Sequence, residues 1–248
     1  MLHYSVCAES VLQKYPFEER IQQIRKNNFN AIEFWKWNNK DLRRLQELLE
    51  ENHMKAIAFC VDSEDPEIAA QIAEKALTDP NSKGLCQAVE ESIEKAQYLG
   101  TKNLIVTVGN RMEGLPEEEQ RAIVLANLKR IKDYFEKNEI TLLVEPINRQ
   151  ERPGYFMPTV RELLPVIRGV SSDFIKILYD IYHESAEYVF SPESLIEDLP
   201  YIGHIHAADF PGRGKPGTGQ IDFNRVFEEL SRNHYEKYIG YEYFSQQL

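Results

Sequence analysis

Cysteine is scarce in this chain. Cys7, Cys60 and Cys86 are the only three in 248 residues, and no two of them form a Cys-x-x-Cys pair. That excludes a disulfide framework and a thiolate zinc site, and it fits a reducing, cytoplasmic compartment. Positive charge is the minority sign, with 29 Lys and Arg against 40 Asp and Glu and a net charge of -11. A nucleic-acid partner or an anionic membrane surface is disfavoured by that balance. No apolar run approaches the roughly 20 residues needed to cross a bilayer. The first ten residues lack the basic-then-apolar pattern of a secretion signal. No Gly-x-Gly-x-x-Gly turn follows the first apolar run, which weakens a dinucleotide-binding open sheet. No linker, low-complexity stretch or charge block divides the chain, so residues 1–248 are expected to form a single domain.

What the sequence does have is alternation. Short, nearly continuous apolar runs at 2–7, 30–35, 55–61, 103–109, 140–148, 175–183, 202–209 and 238–244 read as strands buried on both faces. Amphipathic stretches at 17–27, 41–52, 82–99, 116–138, 159–168, 191–199 and 222–233 read as helices, and another starts at Asp65. Asp65 before Pro66, Ser191 before Pro192, and Asp222 are N-cap signals. Gly100 is a stop signal. Eight β/α units over this length predict an α/β fold of the (β/α)8 TIM-barrel type.

In such a barrel the chemistry sits where the strands end. Strand five ends in Val144-Glu145-Pro146, strand six in Tyr179-Asp180-Ile181-Tyr182-His183, strand seven carries His206 and Asp209, and strand eight runs into Tyr241-Glu242. Four consecutive strands thus deliver Glu145, Asp180, His206 and Glu242 in apolar surroundings. Unpaired, such groups would be very costly to bury. A divalent cation resolves that cost. Three carboxylates and one imidazole suit Mn²⁺ or Mg²⁺, with Co²⁺ and Zn²⁺ as further candidates. The competing reading is a buried ion-pair network using Arg149, Arg152 or Arg161. After strand seven, Pro211, Gly212, Gly214, Pro216, Gly217 and Gly219 make an ordered turn segment that contains Arg213. His204, two residues before His206, should face the same way and reads as a hydrogen-bonded histidine. His3, His53 and His234 read as structural or solvated. Trp35 and Trp37 read as core or pocket rim.

These segments carry a resemblance. Val144-Glu145-Pro146-Ile147-Asn148, Pro153-Gly154-Tyr155, Tyr179-Asp180-Ile181-Tyr182-His183, Gly203 to Asp209, Pro211-Gly212-Arg213, Pro216-Gly217-Thr218-Gly219 and Gly240-Tyr241-Glu242-Tyr243 resemble the hydroxypyruvate isomerase family of the xylose-isomerase-like TIM barrels. The likeness is densest in the C-terminal half. In the N-terminal half it rests on strand order and on Phe29-Asn30-Ala31-Ile32-Glu33-Phe34. The resemblance implies Glu145, Asp180, His206 and Glu242 as metal ligands and Glu145 with Glu242 as the acid/base pair. It implies His183 and Arg213 as substrate binders, and Glu151 as the acidic substrate contact of the related ketose epimerases. The chain departs from the isomerases at His206, where they carry Gln and the ketose epimerases carry His. It departs also in Tyr4-Ser5-Val6-Cys7 and in Trp35-Lys36-Trp37-Asn38.

The implied activity is interconversion of a small hydroxy-carbonyl compound by enediolate proton transfer, with hydroxypyruvate and tartronate semialdehyde as the leading pair. A ketose 3-epimerase is the alternative. An endonuclease IV-like phosphodiesterase and a non-catalytic sugar-binding barrel rank lower, the first for lack of a basic face and the second because both glutamates are present. The expected partner is a small molecule, and a homo-oligomer is compatible with all of this.

Overall fold

A computed structural model describes the whole chain, Met1–Leu248. Eight parallel strands, β1 His3–Cys7, β2 Ala31–Phe34, β3 Lys55–Cys60, β4 Asn103–Thr107, β5 Thr141–Glu145, β6 Ile175–Asp180, β7 Ile202–Ala207 and β8 Tyr238–Tyr241, follow one another around a closed barrel. Pairing of β8 with β1, Ser5 opposite Gly240, seals it. The helices are α1 Phe17–Lys26, α2 Leu42–Glu51, α3 Pro66–Lys75, α4 Lys83–Leu99, α5 Glu117–Asn138, α6 Val160–Val170, α7 Ile181–Glu187, α8 Pro192–Asp198 and α9 Phe223–Arg232. The (β/α)8 expectation holds, and α3 and α4 both fall between β3 and β4.

Capping chemistry starts the helices where the sequence signals it. Asp65, Ser191 and Asp222 each accept a hydrogen bond from a backbone N–H of the first turn. Gly100 closes α4 at φ 68°, a left-handed conformation that costs glycine nothing sterically.

Strand β1 ends at Cys7 as expected, and β2 to β8 stop one to three residues before the apolar runs do, because the chain leaves the ladder at the barrel rim. The segment 175–183 departs furthest from expectation. The strand ends at Asp180, and Ile181 begins α7, a helix that the apolar run conceals. The cause is local. One oxygen of the Asp180 carboxylate accepts from the N–H of Tyr182 at 2.8 Å and of His183 at 3.1 Å, which caps a helix. His183 is therefore a helical residue and not the end of a strand.

Two apolar clusters hold the molecule together. Ala31, Ile57, Ala58, Ile105, Leu143 and Leu178 form a small buried group of strand residues. The large core joins the other side of the strands to the helices through residues such as Phe34, Val106, Val144, Leu128, Ile131 and Phe135. Burial of this kind contributes about 25 cal/mol per Å² of apolar surface.

Glu184 on α7 is half-buried and accepts from the backbone N–H of Val160, at the start of α6, at 2.7 Å. Burial pushes its carboxyl from an ordinary value near 4.5 up to about 7, against the pull of that hydrogen bond. The folded chain then keeps a proton that the unfolded chain has released, so stability falls as pH rises from about 4.5 to about 7. In Glu184→Gln the amide oxygen still accepts from Val160. Urea titrations at pH 5 and pH 8 are expected to show a decline in the wild type larger by on the order of 1–2 kcal/mol. Equal declines in both proteins would refute the assignment.

Candidate active site

Register brings the strand-end residues to one level. Asp180 pairs with His206, and His206 with Gly240, two residues before Glu242. Glu145 lies opposite Thr107 at the end of β5. One atom from each of Glu145, Asp180, His206 and Glu242 lies within 4.8 Å of all the others, and all four residues are buried. His206 Nδ1 is 3.3 Å from Glu242 Oε2, 3.6 Å from Glu145 Oε1 and 3.9 Å from Asp180 Oδ2. Neither His206 Nδ1 nor Asp180 Oδ2 has a hydrogen-bond partner, although both are shut off from solvent. Buried polar atoms without partners are rare and costly. Here two of them face the same point.

Each member is fixed from behind. Tyr155 donates its hydroxyl to the carbonyl oxygen of Glu145 at 2.5 Å and accepts from the N–H of Val108 at 2.6 Å, which ties β5 to the β4 rim. Trp35 Nε1 donates to Glu242 Oε1 at 2.6 Å. Burial works to raise the Glu242 carboxyl, and the nearby His206 and Arg213 overcome it, so Glu242 is held well below the ordinary carboxylate range. The opposite balance holds at His206. Burial works to lower it, and the charges of Glu242 and Glu33 raise it well above the ordinary value.

Arg213 closes the cluster from the loop after β7. Its Nη2 donates to Glu242 Oε2 at 2.5 Å and its Nη1 to Glu151 Oε2 at 2.9 Å. The guanidinium lies between the rings of Tyr182 and Phe244, 5.4 and 5.3 Å from their centroids, a cation–π setting. Its Nε is buried and has no partner. The backbone of Arg213 is left-handed, φ 54°, at a cost on the order of 1 kcal/mol. His183 Nδ1 is 2.7 Å from the side-chain nitrogen of Asn148. With the amide as donor, Nδ1 accepts and Nε2 carries the proton, 3.6 Å from Asp180 Oδ2.

All seven residues singled out in the sequence thus lie in one cluster. The arginines offered for an ion-pair network do not reach it. Arg149 pairs with Glu162 and Glu187, Arg152 donates to the carbonyl of Ala73, and Arg161 makes no ion pair. The cation present is Arg213 instead. His204 is hydrogen-bonded, as expected, and its partner is Glu33. Sequence reasoning missed Glu33 and Asn148 as parts of the site. The signal for Glu33 was a lone acid inside the apolar strand Ala31-Ile32-Glu33-Phe34.

The family profile described as xylose isomerase-like TIM barrel matches residues 21–247. The chain belongs to this family. It is 28% identical to the hydroxypyruvate isomerase of Escherichia coli (strain K12), an alignment covering 99% of this chain and 95% of that one. It is 26% identical to the 2-oxo-tetronate isomerase of Pectobacterium atrosepticum, over 92% of this chain and 86% of that one. Among solved structures, the AP endonuclease, family 2, from Brucella melitensis superposes with a TM-score of 0.90 at 21% identity, over 98% of this chain and 93% of that one. At that identity the structural match concerns the fold alone.

Asp209 is the anchor of the arginine loop. Its carboxylate accepts from the N–H groups of Phe210, Gly217, Gly219 and Ile221 at 2.7–3.1 Å. A Cβ at position 219 would lie 2.5 Å from Asp209 Oδ1, so glycine is required there. Removal of this carboxylate in Asp209→Ala takes the acceptor from four backbone N–H groups at once. Chemical denaturation is expected to show a loss of roughly 2–4 kcal/mol, with faster tryptic cleavage after Arg213 or Lys215. A variant with unchanged stability and cleavage would show that the loop holds without its anchor.

Proposed function

We propose that the protein is a metal-dependent isomerase of small 2-oxo acids, with hydroxypyruvate and tartronate semialdehyde as the leading substrate pair. The observation that carries the reading is the convergence of Glu145, Asp180, His206 and Glu242, two of whose facing atoms are buried without partners. Three carboxylate oxygens and one imidazole nitrogen fit a divalent cation such as Mn²⁺ or Mg²⁺, and these four residues would hold it. When bound there, it supplies charge stabilisation for the two neighbouring oxygens of a hydroxy-carbonyl compound.

The chain's own groups do the rest. Arg213 keeps an unpartnered Nε–H in the buried site, suited to a substrate carboxylate. His183, held by Asn148, offers an Nε2–H to a substrate oxygen. One carboxylate of the Glu145/Glu242 pair removes the proton from the hydroxyl-bearing carbon. The proton returns at the neighbouring carbon while the hydroxyl proton passes between the two oxygens, and isomerisation is complete. Relatives named for hydroxypyruvate and for 2-oxo-tetronate, both 2-oxo acids, support the substrate class.

A ketose 3-epimerase is the second reading. Two features favour it: His206 stands where the hydroxypyruvate isomerases carry Gln, and Glu151 sits at the mouth of the site, ready to accept from a sugar hydroxyl. Return of the proton to the opposite face of the same carbon would then give the product.

Chelation is expected to abolish turnover of hydroxypyruvate and added Mn²⁺ to restore it. Full activity in metal-free protein, verified by elemental analysis, would sink the metal. Glu145→Gln and Glu242→Gln are each expected to lower kcat by at least about 10²-fold, with metal occupancy measured beside the rate. For Arg213→Ala the expected loss in kcat/KM on hydroxypyruvate is about 10–100-fold, the scale of a hydrogen bond to a charged group. A neutral ketose should lose less. Turnover of free ketoses alone would replace the isomerase reading with the epimerase.

A further inference from the structure

Glu33 is a buried acid that neither the proton transfer nor the four-residue cluster uses. It sits on β2, where Cys7 is its partner across the ladder to β1, and it is only 2% exposed. Isolated carboxylates are not buried this way, so its partners define its purpose. Oε1 accepts from the hydroxyl of Ser5 at 2.5 Å and lies 3.0 Å from His204 Nε2. Oε2 lies 2.9 Å from His206 Nε2 and 3.1 Å from His204 Nε2. The space is made by omission on β8: a Cβ at Gly240 would stand 1.9 Å from Glu33 Oε1 and 2.9 Å from His204 Nε2. Any larger residue at 240 would push the carboxylate off the histidines.

The contact dictates how His206 presents itself. An ionised carboxylate only accepts, so the Nε2 that meets Glu33 carries the proton. In the neutral ring Nδ1 is then the lone pair, and Nδ1 is the unpartnered atom that faces Glu145, Asp180 and Glu242. Turning the ring over would exchange a hydrogen-bonded edge for a stranded one.

We propose that Glu33 is a positioning residue that fixes the tautomer and ring orientation of His206, so that Nδ1 is offered to a divalent cation, with Ser5, His204 and Gly240 as its cradle. This rests on the metal reading of the site. A carboxylate behind a ligating imidazole raises its basicity and holds its angle, and loss of such partners commonly weakens metal affinity 10–100-fold.

The test is Mn²⁺ binding to the folded protein, followed by the electron paramagnetic resonance of free Mn²⁺. One Mn²⁺ per wild-type chain is expected. Glu33→Gln, which keeps volume and one acceptor, should bind about 10-fold more weakly, and Glu33→Ala up to about 100-fold more weakly. Circular dichroism accompanies each to confirm the fold. Folded variants that bind as tightly as the wild type overturn the proposal. So do two Mn²⁺ per wild-type chain, because Glu33, His204 and His206 would then be ligands of a second ion. A wild type that takes up no Mn²⁺ removes the metal reading, and the proposal with it. A further measurement needs no variant. In wild-type protein labelled with ¹⁵N-histidine and loaded with Zn²⁺, His206 should be protonated at Nε2 and coordinated through Nδ1. Coordination through Nε2 overturns the proposal.

Discussion

Charge buried inside a closed barrel has to be answered within the barrel, and this one requirement orders the whole site. Glu33, Glu145, Asp180 and Glu242 are four carboxylates almost wholly removed from solvent. Each would cost several kcal/mol if left alone. The answers come from His204 and His206 on one strand and from Arg213 on one loop. These do not cover every atom, and the remainder is where chemistry becomes available. The surrounding structure is arranged so that this remainder falls at a single point.

The arrangement is layered along the barrel axis. Apolar side chains from β2 to β6 form one interior group. The Glu33–histidine contacts form the next layer, and the four-residue cluster lies beyond them toward the rim. Above it, the loop after β7 is a device of its own. One carboxylate, Asp209, gathers four backbone N–H groups, and the loop so folded places a left-handed arginine between two aromatic rings. Rigid strands set the lower groups and a rigid loop sets the upper one, so little reorganisation is left for the moment of reaction.

Much of this was legible in the sequence because its causes are local or periodic. Apolar runs every few dozen residues gave the barrel, and acids at their ends gave Glu145, Asp180 and Glu242. Caps at Asp65, Ser191 and Asp222 could be read directly. What stayed hidden depends on distance along the chain. Glu33 acquires meaning only when β2 faces β7 across the barrel, 171 residues away at His204. Asn148 orients His183 only once β5 and β6 are neighbours. Helix α7 was concealed because Ile181, Tyr182 and His183 look like a strand, while a capping carboxylate outweighs that preference. The competing ion-pair reading fails for the same reason. Arg149 turns to Glu162 and Glu187 and Arg152 to the carbonyl of Ala73, while Arg213, already singled out in the loop after β7, is the cation that reaches the acids.

Asp180 divides its carboxylate between two obligations, one oxygen to the start of α7 and the other to the cluster. Folding and the proposed chemistry therefore draw on one side chain. A descendant of this barrel that lost its reaction would still need the aspartate to begin the helix, and would keep it as a relic. Among related sequences, an aspartate at this position is then a poor witness of activity. Glu145, whose carboxylate caps nothing, is the better one. Selection for stability can preserve half of a site long after its function has gone.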